Sequence, residues 1–262
     1  MNPQRLHVPM VILASAISAL QAAAFEPVHG ACTISASEHH LGMFRVRVES
    51  DACREHEHCD SSFDEESLDR LTGISLGDLA NDGAGLTATL TAEAGTFRCS
   101  GSVQGGALVG ESIFTPDAAF AARMEQMGVS GLDSEKLRTY AFVNVESEWA
   151  HSLKQTGISG LTADNLIPLR ILHVDREYVQ SLTGLGYPLP SADQLVGLKV
   201  QGVNAEEVRQ IRALGYQPTF DELIQIRIFR VTPEFIRNME ARGLKNLTIA
   251  KLVQIRIFNL DE

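Results

Sequence analysis

Apolar and polar positions along the chain follow two different periods, and the change falls near residue 117. From there one pattern recurs five times, in units 117–145, 146–174, 175–203, 204–231 and 232–260, of 29, 29, 29, 28 and 29 residues. A glycine holds the same offset in each: Gly128, Gly157, Gly186, Gly215 and Gly243. Eight positions upstream stands an aromatic residue (Phe120, Trp149, Tyr178, Phe235), with Glu207 in its place in the fourth unit. Four positions after that comes a large apolar residue: Met124, Leu153, Leu182, Ile211 and Met239. An i, i+4 apolar pair followed by glycine predicts a short helix ended by a left-handed residue. Asp117, Asp175, Asn204 and Thr232 are predicted N-caps, Pro233 suits a first turn, and Glu146 is a poorer cap.

The second half of each unit predicts a second helix. Asp133, Thr162, Ser191, Thr219 and Thr248 are its caps, and Gln194 and Glu222 complete capping boxes. The apolar stripe runs Leu166-Ile167-Leu169-Ile171, Leu195-Val196-Leu198-Val200, Leu223-Ile224-Ile226-Ile228 and Leu252-Val253-Ile255-Ile257. The first copy is degenerate, with Leu137, Tyr140 and Phe142, and Pro168 should kink or shorten the second copy's helix. The fourth unit lacks one residue between Gly215 and Thr219, in a loop, where a deletion rotates no apolar face. The last two copies share Leu-x-Gln-Ile-Arg-Ile-Phe (223–229 and 252–258), the mark of a duplication. Helices of two or three turns are not stable alone. Stacked pairs bury one another, so residues 117–262 are expected to form an α-solenoid of five ~29-residue helical hairpins.

Upstream the period is two. Residues 43–49 and 86–91 alternate, 96–103 follow the tight Ala94-Gly95, and Gln104-Gly105-Gly106 turns the chain into a strand over 107–114. Residues 67–79 leave room for one short helix or a bulged edge. The fold class is therefore α+β: a small antiparallel β domain of five or six strands over residues 25–116, then the helical array.

Charge and cysteine sharpen this division. The whole chain of 262 residues is net −11, which argues against nucleic acid as a partner. Residues 25–116 hold 5 basic and 15 acidic residues, net −10; residues 117–262 hold 16 and 18, net −2. All four cysteines, Cys32, Cys53, Cys59 and Cys99, lie in the first segment. Residues 1–24 read as a signal peptide: Arg5, an apolar stretch from Val8 to Leu20, and Ala22-Ala23-Ala24 before Phe25. Lipidation at Cys32 is disfavoured by its distance from that stretch and by His29. An exported chain, periplasmic or extracellular, with no membrane span after cleavage, predicts two disulfides. Of the three pairings, Cys53–Cys59 with Cys32–Cys99 is favoured, the first closing a hydrophilic loop and the second tying the first strand to a late one. A thin β core is where such bonds stabilise most.

The glycine-centred repeat Glu234-Phe235-Ile236-Arg237…Gly243-Leu244-x-Asn246-Leu247…Leu252-Val253-x-Ile255-Arg256-Ile257 resembles one in many exported bacterial proteins of unknown role. It is similar to the extracytoplasmic C-terminal region of some membrane metallopeptidases of the antirepressor and β-lactam-sensor type. Ala94-Gly95-Thr96-Phe97…Gly101 and Phe114-Thr115-Pro116-Asp117 resemble the β segment preceding such repeats, so the likeness spans residues 40–260. The peptidase part, with its transmembrane helices and His-Glu-x-x-His motif, has no counterpart in this sequence. The resemblance implies an accessory or sensing module and transfers no catalytic residue.

Two constellations remain. Cys53-Arg54-Glu55-His56-Glu57-His58-Cys59-Asp60, with His39 and His40 nearby, has residue types that bind zinc or copper, His56 and His58 above all. Oxidation of the thiols would leave instead a solvated, disulfide-closed loop, and no cofactor is expected. Arg170, Lys199, Arg227 and Arg256 occupy one repeat position, broken only by Ala141. They offer either charge for helix C-termini and inter-repeat ion pairs, or a row meeting an acidic protein partner. Ile257, Phe258 and Leu260 leave the last helix without a polar cap, a site for a partner or for self-association through the C-terminal repeat. No nucleophile elbow or phosphate-binding glycine loop is present, so a non-enzymatic interaction protein is expected.

Overall fold

The structure, a computed structural model, describes residues 25–51, 60–66 and 70–258. The chain is α+β: an antiparallel sheet, then ten helices among the described residues. The strands are β1 (Val28–Ala36), β2 (Phe44–Ser50), β3 (Asp60–Glu66), β4 (Leu71–Thr72), β5 (Gly85–Ala92), β6 (Gly95–Gln104) and β7 (Ala107–Pro116). Their order is β3-β2-β1-β7-β6-β5-β4, so the first and last strands lie side by side at the centre. Where a short helix or bulged edge was expected, the described residues hold the two-residue edge strand β4 and the 3-10 turn Asp78–Ala80.

Cys32 of β1 and Cys99 of β6 form a disulfide across the intervening β7, one of the two bonds the sequence favoured. Two strand spacings in a flat sheet are about 9.5 Å. The two Cα atoms are 6.0 Å apart, so the sheet folds sharply about β7. Gly101 and Gly110 face each other at that crease. A Cβ on Gly101 would lie 2.1 Å from the Val109 carbonyl oxygen, and one on Gly110 2.1 Å from that of Ser100, so only glycine fits. The inner face buries Ile34, Phe44, Val46, Val48, Leu90, Phe97, Leu108 and Phe114, the alternate residues of their strands. Cys53, Cys59, His56 and His58 lie outside the described residues.

The helices are α1 (Ala118–Gln126), α2 (Ser134–Val143), α3 (Ser147–Gln155), α4 (Ala163–Ile171), α5 (Arg176–Thr183), α6 (Ala192–Val200), α7 (Ala205–Ala213), α8 (Phe220–Ile228), α9 (Pro233–Ala241) and α10 (Ile249–Ile257). Each predicted unit holds two of them. The caps are local chemistry: Asp117, Asp133, Thr162, Asp175, Ser191, Asn204, Thr219, Thr232 and Thr248 each accept a backbone N–H three residues on. Asn165 completes a third capping box beside those of Gln194 and Glu222. Glu146 makes no cap bond; its carboxylate pairs with Arg170 instead. Gly128, Gly157, Gly186, Gly215 and Gly243 all take φ between 82° and 90°, the left-handed C-terminal turn. Pro168 lies within α4 without shortening it: α4, α6, α8 and α10 each have nine residues.

The second helices pack in one row, α2 on α4, α4 on α6, α6 on α8 and α8 on α10, while α1 packs on α3 and α7 on α9. Leu166, Leu169, Leu195, Leu198, Leu223 and Ile226 line that row, all buried. The sheet packs directly on the helices. Helix α2 lies against β1, β5, β6 and β7, and the Phe142 ring meets Phe97 edge-on with centroids 4.9 Å apart. One apolar cluster runs from β1 through α8, and a second spans α7 to α10. Polar contacts tighten the join: Glu93 of the β5–β6 hairpin accepts from Ser147 Oγ at 2.6 Å and faces Arg123 at 3.6 Å.

Candidate functional site

The four expected cations close the second helices onto the first. The Arg170 guanidinium stands 5.3 Å from the Trp149 ring centroid, Lys199 Nζ 4.3 Å from Tyr178 and Arg256 3.9 Å from Phe235. In the fourth unit Glu207 replaces the aromatic, and Arg227 pairs with it at 2.9 Å. In the first, Ala141 removes that cation, and Phe120 meets Tyr140 edge-on at 6.3 Å and the Arg123 guanidinium of its own helix at 5.8 Å. Where one member of the pair is missing, the other finds a different partner: Arg227 takes Glu207, and Phe120 takes Tyr140 and Arg123. The aromatics also reach on: Trp149 Nε1 donates to the Val174 carbonyl and Tyr178 Oη to that of Val203, both at 2.9 Å. Burial pushes the Tyr178 phenol up to about 12.

The cations also join units. Lys199 Nζ donates to the His173 carbonyl at 3.1 Å and Arg227 Nε to that of Gln201 at 2.8 Å, each just past the end of the preceding second helix. There the charge meets the negative end of the helix dipole. A parallel set of contacts, which the sequence reading missed, ties the first helices: Lys154 donates to the Met127 carbonyl and Arg212 to that of Leu185, 27 residues back in both cases. Lys154 and Arg212 share one repeat offset, in the second and fourth units, and that was the available signal. Arg212 also lies 4.4 Å from the Tyr187 ring. The cation row is therefore engaged within the helical stack.

The apolar stripe of the second helices divides. At 100° per residue, Leu166 and Ile171 are about 140° apart around the helix. The first of each pair enters the stack. The last stands outside it: Ile171 is 56% exposed, Val200 59%, Ile228 50% and Ile257 48%. Phe142 holds this position in the first unit, and there the sheet buries it to 2%. Seven residues before each, on the same helical face, come Glu135, Asp164, Asp193 and Asp221, with Ala250 in the fifth unit. Phe258, 66% exposed, lies beside Ile257 at the end of α10.

At the first unit this face is fully engaged. Arg138, 5% exposed, pairs with Glu135 at 2.7 Å, and Ser50 Oγ donates to the same carboxylate at 2.8 Å. Arg70 donates to the carbonyls of Ala141 and Phe142 at the end of α2. His151 meets Gln155 at 2.7 Å, and His173 is a helix terminator with φ 51°. Among the described residues no group of three or more His, Cys, Asp or Glu could hold a metal ion. Shallow clefts recur between successive units; one of about 220 Å³ lies beneath Lys154, between Gly128, Ile158 and Leu166. No helix among the described residues is long and apolar enough to cross a membrane.

No protein-family model, curated protein or solved structure matches the chain.

Proposed function

We propose that this is an exported, non-enzymatic interaction protein in which five helical hairpins form an α-solenoid that presents a surface to a protein partner. The reading extends, through the resemblance noted above, to an accessory role in an envelope signalling or protease system. The observation that carries it is the division of labour on the second helices. Charged side chains that would serve a generic solvated surface are turned inward onto aromatics and carbonyls, while large apolar side chains stand outside at a repeated position. A repeated row of exposed apolar side chains is what a recognition surface for a regular partner would need. The Cys32–Cys99 bond and the lack of a long apolar helix among the described residues are consistent with export. The test is photocrosslinking in the native envelope from the full chain, with the crosslinker placed in turn on each helical face. A discrete, saturable adduct from one face is expected. Adducts from no face, at native expression, would overturn the reading.

A further inference from the structure

The exposed apolar row has a shape that selects its occupant. Neighbouring packed helices lie about 8–10 Å apart, so Ile171, Val200, Ile228 and Ile257, one per second helix, span about 24–30 Å. An α-helix repeats a side chain on one face every seven residues, about 10.5 Å. An extended strand repeats every two residues, about 6.7 Å, and falls out of step after the first contact. The line is also the continuation of an interface that the chain already makes: its first position is Phe142, covered by Phe97 of the sheet. Ile167, Val196 and Ile224, half-buried, widen it on α4, α6 and α8.

The sign of the occupant follows from the flanks. On one side the cations are occupied: Arg170 by Trp149 and Glu146, Lys199 by Tyr178, Arg227 by Glu207. On the same face as the apolar row, two turns toward the helix N-terminus, stand Asp164, Asp193 and Asp221, all exposed. The chain itself shows what meets this row, because Lys136 reaches Asp164 at 2.9 Å. Asp193 and Asp221 accept no such cation from the described residues. An occupant with apolar side chains at heptad spacing and lysine or arginine along one edge matches both features.

We propose that Ile171, Val200, Ile228 and Ile257, flanked by Asp193 and Asp221, are a linear docking track for a basic amphipathic helix of a partner protein. The proposal rests on the recognition reading above and names its site and its ligand. It is tested with the full mature chain and a fluorescent peptide of about 22 residues, leucine at heptad positions and lysine elsewhere, followed by anisotropy. Controls are the same composition scrambled to remove the apolar face, and a leucine–glutamate version. Saturable binding of the first peptide alone is expected. The variant Ile171→Ser/Val200→Ser/Ile228→Ser, whose side chains are about half exposed, should weaken it at least tenfold with an unchanged circular dichroism spectrum. Asp193→Asn/Asp221→Asn should weaken it about threefold, a difference that closes in 1 M salt. Should the triple variant misfold, Val200→Lys alone serves, with the same expected direction. Equal binding of either control peptide overturns the proposal, as does undiminished affinity of the variants. A stable dimer of the free chain that the serine variant dissolves also overturns it, because the track is then covered by a second copy. Partner adducts from another face, with the track inert, would sink this proposal and leave the recognition reading standing.

Discussion

Glu207 stands where the other units have an aromatic, facing the cation Arg227, and this exchange can be measured. Glu207→Ala, Arg227→Ala and the double variant form a cycle, to be compared with Phe235→Ala, Arg256→Ala and their double variant. Arg227 Nη1 lies 2.9 Å from the Glu207 carboxylate, with the two side chains 38% and 16% exposed. Partly solvated pairs of this kind couple by about 0.5–1 kcal/mol. The Arg256–Phe235 contact, at 3.9 Å, is of similar size, about 0.5–1 kcal/mol. Size does not separate them, but salt does. In 1 M salt the Debye length falls to about 3 Å, so the Glu207–Arg227 coupling should drop by more than half while that of Arg256–Phe235, against a nearly buried ring, largely persists. Glu207→Phe should restore the contact of the other units and be neutral, or stabilise by up to about 1 kcal/mol. Urea unfolding at 0.1 and 1 M salt, followed by circular dichroism, supplies each free energy. Equal salt sensitivity of the two couplings, or a Glu207→Phe loss above about 1 kcal/mol, would refute the claim that aromatic and carboxylate are alternative partners for one cation.

Replacing Cys32 and Cys99 together by alanine opens a loop with a sequence separation of 67 and should cost up to about 4 kcal/mol, read as a lower urea midpoint. His173 takes φ 51° where the next unit has Gly202 at φ 66°; His173→Gly should stabilise by about 0.5–1 kcal/mol and Gly202→Ala should destabilise by about 1 kcal/mol, both measurable as shifts in Tm. The Tyr178 phenol titrates near 12 in the fold against about 10 when unfolded. The unfolded chain therefore binds fewer protons between those values, and stability should fall as pH rises from 10 towards 12, with a shallower fall in Tyr178→Phe.

What was legible in the sequence was whatever the backbone itself demands. Helix starts follow from a side-chain oxygen three residues before an N–H, and helix ends from glycine at positive φ, so Asp117 through Gly243 could be placed by counting. The Cys32–Cys99 bond was favoured for its span, though not for the crease that brings the two strands together, because Gly101 and Gly110 meet only once β6 and β7 are paired. Pairings between units were harder. Arg170, Lys199, Arg227 and Arg256 were visible as a row, but their inward turn depends on the aromatic of another helix. The apolar stripe was read as one face, whereas its last member lies beyond the buried arc. Phe142 resembled a degenerate copy and is instead the residue on which the sheet sits. His173 and Arg230 carry left-handed turns that their residue types do not advertise.

The sheet's seat on α2 constrains how such a molecule can change length. Beyond α2, each second helix meets another second helix, so an inserted hairpin finds the same neighbour above and below. Ahead of α2 an insertion would have to part Phe142 from Phe97 and Glu135 from Ser50 at the end of β2. Growth by copying is thus directional, away from the strands, and the near-identical stretches at 223–229 and 252–258 lie at the distal side, where that geometry tolerates a new member.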